Sequence, residues 1–261
     1  MIDLPDEFGP TPPIKKGGAM RDFLCSSKRL GGIIGLSIVN SHSRNWSKGD
    51  RARSVKKYYI DVERYDWVSV TDHFKGVESL FHRNRMRVIL DLTQKYGEGS
   101  PIIDVGCGTG LILRNLPPLV VGLDINPWAI ERARTHAPNA DLIIADAENI
   151  PFKDSSASTV VCTEVIEHVP SPESALEEIR RLLKPGGNLI GSVPHGTFLW
   201  KFRILSSTCP HSEPFHNLYG LKEIKGLLEA FETVYMKRST LRLNIVFVSK
   251  KKENITQISK A

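Results

Sequence analysis

A glycine-rich turn directly follows a short apolar run near the middle of the chain. The run Ile102–Val105 contains Asp104, and three glycines follow it in a G-x-G-x-G spacing. Glycines at alternate positions let the backbone turn sharply and let a ligand approach it closely. The G-x-G-x-x-G spacing of dinucleotide sites is absent because position 111 is Leu111, and the sequence lacks the Gly-Lys-Ser/Thr ending of a phosphate loop. The turn therefore predicts a ligand site but does not favour phosphate binding.

Two further acids follow the next two apolar runs. Asp124 lies 20 residues beyond Asp104, after the run Leu119–Leu123, and Asp146 follows Leu142–Ile144. A carboxylate at the second strand end can accept hydrogen bonds from ribose hydroxyls, although it could also cap the next helix. The acid at the third strand end can receive the amino group of a base. Because the ends of parallel strands meet at one edge, the three acids suit a ligand with an amino-acid part, a ribose and a base.

A second group of chemically active residues lies between positions 164 and 168. In a helical conformation Glu164, Glu167 and His168 would share one face, at spacings of three and four residues. His168 could then take a proton near neutral pH. The same triplet could bind a divalent cation, completed by His211 or His216. Alternatively, Glu164 borders a ligand and the other two residues only fix the loop.

Short apolar runs alternate with helical patterns over most of the chain, which predicts βαβ units and a parallel sheet in a doubly wound α/β fold. The last two strands lie close enough in sequence to form an antiparallel pair. Strands are predicted over Ile102–Val105, Leu119–Leu123, Leu142–Ile144, Thr159–Thr163, Asn188–Val193, Phe231–Arg238 and Leu241–Val248. Helices are predicted near Lys56, over Phe74–Tyr96, from Leu111, and over Pro127–His136, Ser171–Leu183 and Leu221–Leu228.

The positive charge of the chain is concentrated in its first 57 residues. They hold eleven Lys and Arg against five Asp and Glu, whereas the remainder carries 24 of each sign. This composition predicts an arm with little regular structure, which could contact nucleic acid, an anionic membrane or an acidic partner, or could simply be solvated. We expect residues 1–50 to be dispensable for ligand binding.

The cysteine pattern and the rest of the chain set further expectations. Four widely spaced cysteines form no CxxC pair, which favours a reducing cytoplasm over disulfides or structural zinc. We predict a main domain over 58–250 with an insertion at 194–219, and a tail over 251–261. In the insertion, Phe198–Leu205 is aromatic and basic. It could be a lid, a membrane-surface helix, a wall of the substrate site or an inserted helix held by hydrophobic packing. Arg83 and Arg85 could reach a ligand carboxylate, although arginine is more often found at the surface.

Five segments in order resemble class I methyltransferases of the type 11 kind. They are DVGCGTG, GLDIN, DAENIPF, EVIEHV and LLKPGGNLIGSVP, and the resemblance covers about residues 74–250. It implies S-adenosylmethionine as the cofactor and a seven-stranded sheet of order 3-2-1-4-5-7-6 with strand seven antiparallel. The ExxEH pattern at Glu164 also resembles metal-dependent relatives, namely ubiquinone-pathway O-methyltransferases and plant-type small-RNA 2′-O-methyltransferases.

The resemblance also implies which residues contact the cofactor. Asp104 and the glycines would border its methionine part, Asp124 would hold the ribose and Asp146 the adenine. Glu167 and His168 are the candidate catalytic pair. The full predicted cofactor-binding set is Asp104, Gly106, Cys107, Gly108, Gly110, Asp124, Ile125, Asp146, Ala147, Glu148 and Glu164.

Three functional hypotheses follow. The first is a methyltransferase acting on a small molecule or lipid precursor, with oxygen as the methylated atom. The second is an RNA or protein methyltransferase whose basic arm grips the target, although the arm has no aromatic-rich RNA-binding motif. The third is a cofactor-binding scaffold without catalysis, which the intact strand-end acids disfavour. The oligomeric state stays open.

Overall fold

The computed structural model describes residues 48–74, 76–196, 217–239 and 243–252. Three α-helices precede the sheet: α1 (Lys48–Asp61), α2 (Trp67–Asp72) and α3 (Val77–Tyr96). The remaining elements are β1 (Ile102–Val105), a 3-10 turn (Leu113–Asn115), β2 (Val120–Asp124), α4 (Pro127–His136), β3 (Asp141–Ile144), β4 (Ala157–Thr163), α5 (Pro172–Leu182), β5 (Leu183–Pro194), α6 (Leu221–Leu227), β6 (Phe231–Ser239) and β7 (Asn244–Lys251). Most of the predicted basic arm, Phe198–Leu205, His211, His216 and most of the predicted C-terminal tail lie outside the described residues.

The seven strands form one sheet in the order β3-β2-β1-β4-β5-β7-β6. The pairs from β3 to β5 are parallel, and β7 is antiparallel to both of its neighbours. This confirms the predicted fold class and strand order. The chain crosses from β3 at one edge to β4 beside β1, so the strand order reverses next to β1. In such sheets ligands bind outside the carboxyl ends of the strands at the point of reversal.

Burial explains why the central strands are rich in apolar residues. Every residue of β1 and β4 is buried, as expected for parallel strands covered on both faces. In α5 the buried residues Ala175, Leu176, Ile179 and Leu182 recur at helical spacing, and Ser171 caps the helix as its sequence predicts. These elements hold the strand ends in fixed positions.

The helix predicted from Leu111 is wrong. Only a 3-10 turn over Leu113–Asn115 follows the glycine-rich turn. Leu116 is extended, with φ −78° and ψ 155°, because Pro117 disfavours helical backbone in the residue before it. The apolar residues at 111–113 are buried in a compact loop rather than along a helix.

Two other predicted boundaries differ from the structure. Helix α1 begins at Lys48, whereas a helix was expected only near Lys56, so the proposed arm boundary at residue 57 falls inside α1. Strand β5 begins at Leu183 rather than Asn188, because Leu183 already pairs with Ala157 of β4. Within the described ranges, no helix combines the length and apolar character needed to cross a bilayer.

Removing residues 1–47 should leave the domain folded. Val55 of α1 is 4% exposed and Lys56 forms ion pairs with two acids of the sheet edge, so the cut belongs before Lys48 rather than inside α1. We expect the chain starting at Lys48 to unfold cooperatively, within about 1 kcal/mol of the full chain, in a urea titration. A larger loss, or a loss of S-adenosylmethionine affinity in this variant, would show that residues 1–47 belong to the folded unit.

Candidate active site at the strand ends

Asp124 ties the glycine-rich turn to the end of β2. One of its carboxylate oxygens accepts a hydrogen bond from the Gly108 N–H at 2.9 Å, and the other accepts one from the Asn126 N–H at 2.9 Å. Burial raises the pKa of the Asp124 carboxyl, while these backbone N–H groups lower it. The turn and Asp124 therefore form one unit, in which a half-buried carboxylate lies at the end of β2.

Asp104 is a buried acid with an unsatisfied oxygen. Its side chain lies at the carboxyl end of β1 with 1% exposure, and its Oδ2 has no hydrogen-bond partner among the described residues. Burial and, to a smaller extent, the charge of Asp124 raise its pKa to about 8, although Arg85 opposes the shift. A buried carboxylate that lacks a donor is costly. An ammonium group would satisfy it, as the amino group of a methionine moiety can.

This raised pKa predicts pH-dependent binding of an amino-acid ammonium. The ammonium pairs with the ionised carboxylate, so binding displaces the proton that Asp104 holds below its pKa. From about pH 6 to about pH 7.5, S-adenosylmethionine affinity should rise by about tenfold per pH unit, with proton release to the buffer. Calorimetry in two buffers of different ionisation enthalpy measures both. Asp104→Asn should abolish the slope; an equally steep slope in that variant would contradict the assignment.

The glycine-rich turn is crowded at one glycine and open at another. Gly106 has φ +72°, and a side chain there would overlap Val165 Cγ2. Gly108 has φ +53°, and the space where its Cβ would point is empty to 4 Å. The opening beside Gly108 lies next to the Asp124 carboxylate, so it can receive a ligand against bare backbone.

Substitutions at these two glycines should separate folding from binding. Gly106→Val should destabilise the fold by about 3 kcal/mol or more, since backbone strain adds to the clash with Val165. Gly108→Ala should cost only about 1 kcal/mol of stability, yet weaken S-adenosylmethionine binding by about tenfold or more. Urea unfolding and calorimetry measure the two effects. Normal cofactor affinity in Gly108→Ala would place the ligand elsewhere.

Four other predicted cofactor contacts differ in what they offer. Burial raises the pKa of the Cys107 thiol well above its usual value, and its sulfur lies within the apolar core, so any contact with a ligand would come from its backbone. Ala147 is buried, and Ile125 is half-buried beside Asp124. Gly110, with φ +92°, faces Ala133 and Ala137 of the α4 region rather than an opening.

The acids after β3 are already engaged by a lysine of α1. Lys56 Nζ lies 2.6 Å from Asp146 Oδ2 and also pairs with Glu148. Asp146 Oδ1 accepts a hydrogen bond from the Glu148 N–H at 3.0 Å, and Glu148 Oε1 accepts one from the Ser171 N–H at 2.5 Å. The lysine was not predicted, because a contact 90 residues away in sequence leaves no local pattern.

The stretch Glu164–His168 is a turn, so the helical face proposed for its three polar residues is wrong. Glu164 has φ +56°, and the His168 N–H donates to the Val165 carbonyl at 2.9 Å. The Glu164 N–H donates to the Ser192 carbonyl of β5, which continues strand pairing instead of starting a helix. Tertiary contacts, not helical spacing, place these side chains.

Glu164 is held by a polar cluster under the turn. Its Oε1 accepts hydrogen bonds from Ser192 Oγ at 2.8 Å and Asn244 Nδ2 at 2.7 Å, and Arg85 Nη1 lies 3.6 Å from its Oε2. The expectation that arginine lies at the surface is wrong for Arg85, which is 6% exposed. Arg83 is half-buried and donates to the Thr71 carbonyl.

His168 is held between an acid and a tyrosine. Its Nε2 lies 3.6 Å from Oε1 of Glu167, which has 0% exposure. Its Nδ1 forms a hydrogen bond of 2.7 Å with the Tyr59 hydroxyl of α1. The structure thus brings the two predicted catalytic residues together and adds Tyr59, which sequence reasoning missed. Within the portion of the chain that the structure covers, no three His, Cys, Asp or Glu side chains are arranged to hold a metal ion.

Comparison with known proteins identifies the family. A family profile described as a methyltransferase domain, of type 11, matches residues 103–191. A ubiquinone/menaquinone biosynthesis C-methyltransferase of Geobacter sulfurreducens is 30% identical over 203 residues, covering 70% of this chain and 71% of that protein. A ubiquinone biosynthesis O-methyltransferase of Vibrio atlanticus is 31% identical over 152 residues, covering 55% of this chain and 62% of the relative's length.

A solved structure shows the same fold. Magnesium protoporphyrin IX methyltransferase from Synechocystis with bound S-adenosylmethionine superposes with a TM-score of 0.59 at 16% identity, over 78% of this chain and 98% of that one. The sheet order, the sequence profile and the Geobacter relative agree. The chain belongs to the class I S-adenosylmethionine-dependent methyltransferases.

Proposed function

We propose that the protein transfers the methyl group of S-adenosylmethionine to a hydroxyl oxygen of a small molecule or lipid precursor. The observation that carries the proposal is the buried Asp104 carboxyl, whose unsatisfied Oδ2 lies at the strand end beside the open glycine turn. Its need for a cationic donor fits the amino group of this cofactor. The bound sulfonium supplies an electrophilic methyl group.

Different strand-end residues bind different parts of S-adenosylmethionine. Asp104 pairs with the amino group, Gly108 offers bare backbone, and the Asp124 carboxylate accepts hydrogen bonds from the ribose hydroxyls. Asp146 and Glu148 face the adenine end, where Lys56 neutralises part of their charge. These interactions align the methyl group and exclude water, which is most of what the reaction needs.

The proposal of an oxygen acceptor rests on the proton-accepting group beside the site. A general base is required when the nucleophile is a hydroxyl, and His168 with buried Glu167 supplies one. The Vibrio relative is named as an O-methyltransferase and the Geobacter relative as a C-methyltransferase, and both names refer to quinone biosynthesis. A prenylated phenol is therefore the acceptor class we propose.

The two described cysteines, Cys107 and Cys162, are buried free thiols, in keeping with the reducing cytoplasm proposed as the location.

Two measurements test this function. Calorimetry of the full chain should show one S-adenosylmethionine site, with binding weakened in Asp124→Ala. Incubation with methyl-labelled cofactor should then move label to catechols and prenylated phenols rather than to RNA or protein. Label in RNA or protein would favour that alternative, and binding without transfer to any acceptor would favour a non-catalytic scaffold.

A further inference from the structure

Helix α1 lies across the carboxyl ends of three strands. Lys56 contacts Asp146 after β3, and Tyr59 contacts His168 after β4. Just beyond the helix, the Val62 carbonyl accepts a hydrogen bond of 2.7 Å from the Asn126 side chain, next to the end of β2. Lys56 and Tyr59 are three residues apart, so one face of α1 makes both contacts. This helix is therefore a wall of the candidate site, and it places Tyr59 beside the candidate base.

The contacts of His168 with Glu167 and Tyr59 favour one of its two neutral tautomers. Glu167 faces Nε2, and a carboxylate favours an N–H on the nitrogen nearest to it. In the neutral ring Nδ1 is then the acceptor, so the hydroxyl of Tyr59 donates across the 2.7 Å contact. The basic lone pair of His168 is consequently directed at Tyr59 and not at the acceptor substrate.

We propose that Tyr59 is a catalytic residue through which the acceptor loses its proton, an inference that rests on the proposed methyl transfer to oxygen. The acceptor O–H proton passes to Tyr59 Oη while the Tyr59 proton passes to His168 Nδ1. The acceptor oxygen bonds to the methyl carbon, and the carbon–sulfur bond breaks to leave a neutral thioether. His168 ends as an imidazolium facing the carboxylate of Glu167.

The order of the three groups follows the logic of an activated nucleophile. A tyrosine hydroxyl is a weak base unless a second base takes its proton, and His168 is in hydrogen-bond contact with it. Glu167, with 0% exposure, both orients the imidazole and stabilises its charged form. Tyr59 is only half-buried, so its hydroxyl remains within reach of a substrate at the strand ends.

The tautomer of His168 can be measured without any acceptor. In the full chain labelled with ¹⁵N-histidine, two-bond ¹H–¹⁵N spectra recorded with S-adenosylhomocysteine should show the proton on Nε2 of His168, assigned with His168→Gln. Tyr59→Phe should shift the Nδ1 resonance, because the hydrogen bond is lost. Tyr58→Phe is the matched control, because it removes a tyrosine hydroxyl from the neighbouring position, where the hydrogen-bond partner is Tyr65 at 3.3 Å. This variant should leave the histidine spectrum unchanged. A proton on Nδ1 in the wild type would overturn the proposal.

Kinetics with the labelled phenol acceptors provide the second test. Tyr59→Phe should lower kcat by about 10²-fold with S-adenosylmethionine affinity unchanged, and Tyr58→Phe should stay within about twofold of wild type. The double variant Tyr59→Phe/His168→Ala should be no slower than His168→Ala, because both residues act in one step. Wild-type kcat in Tyr59→Phe, or multiplied effects in the double variant, would overturn the relay while the methyltransferase function stood. Failure of the wild type to bind S-adenosylmethionine would instead overturn the proposed function.

Discussion

His168→Ala should lower kcat by about 10²–10⁴ while leaving S-adenosylmethionine affinity within about twofold. In the proposed relay the imidazole takes the proton that Tyr59 gives up, and it contacts Tyr59 and Glu167 rather than the residues proposed to bind the cofactor. Single-turnover rates with a labelled phenol acceptor, together with calorimetry on the same samples, measure both quantities.

A matched variant separates proton transfer from packing. His168→Asn keeps a hydrogen-bonding group near Tyr59 but cannot take a proton, so it should be about as slow as His168→Ala. A chelator tests the metal hypothesis in the wild type. Full activity in the presence of the chelator would contradict the metal hypothesis. Loss of activity that magnesium or zinc restores would favour that hypothesis. Full activity of His168→Ala would return the Glu164–His168 turn to a purely structural role.

Asp124→Ala should weaken S-adenosylmethionine binding by about 2–4 kcal/mol, the scale for unpairing charge-assisted hydrogen bonds. The substitution removes the acceptor proposed for the ribose hydroxyls. It also releases the N–H of Gly108, which the carboxylate holds at 2.9 Å, and so loosens the turn that borders the ligand. Calorimetric titration of the purified full chain measures the loss.

Two control variants sharpen this prediction. Asp124→Asn keeps one oxygen acceptor and should give an intermediate loss of affinity. Asp141→Ala removes an exposed acid at the start of β3, at the edge of the sheet opposite the carboxyl ends of the parallel strands. This variant should bind S-adenosylmethionine normally. If Asp124→Ala bound the cofactor as tightly as Asp141→Ala does, the ribose assignment would be wrong.

Most of the sheet and the positions of the candidate site acids could be predicted from the sequence, because both depend on local pattern. Helix α4 spans Pro127–His136 as predicted, since Asn126 caps it and Pro127 suits the first helical turn. The buried strands appear as apolar runs, and the strand-end acids follow them directly. The predicted positions of Asp104 and Asp124 at the ends of β1 and β2 therefore agree with the structure.

The parts that sequence reasoning missed depend on contacts between distant positions. Tyr59 and His168 are 109 residues apart, and buried Arg85 lies 3.6 Å from Glu164, which directly follows β4. Neither contact follows a sequence period or spacing from which it could be predicted. The spacing of Glu164–His168 fits a helix, but the Glu164 N–H pairs with the Ser192 carbonyl and its backbone has φ +56°, so no helix begins there.

A crystal structure of the full chain with S-adenosylhomocysteine would show whether the cofactor site lies at these strand ends. We expect the amino group within hydrogen-bond distance of Asp104 Oδ2 and the ribose hydroxyls on the Asp124 carboxylate. We also expect the adenine near Asp146 and the sulfur facing the Tyr59–His168 pair. A ligand bound away from the Gly108 turn, or one that leaves Asp104 Oδ2 without a donor, would show that the proposed site is wrong.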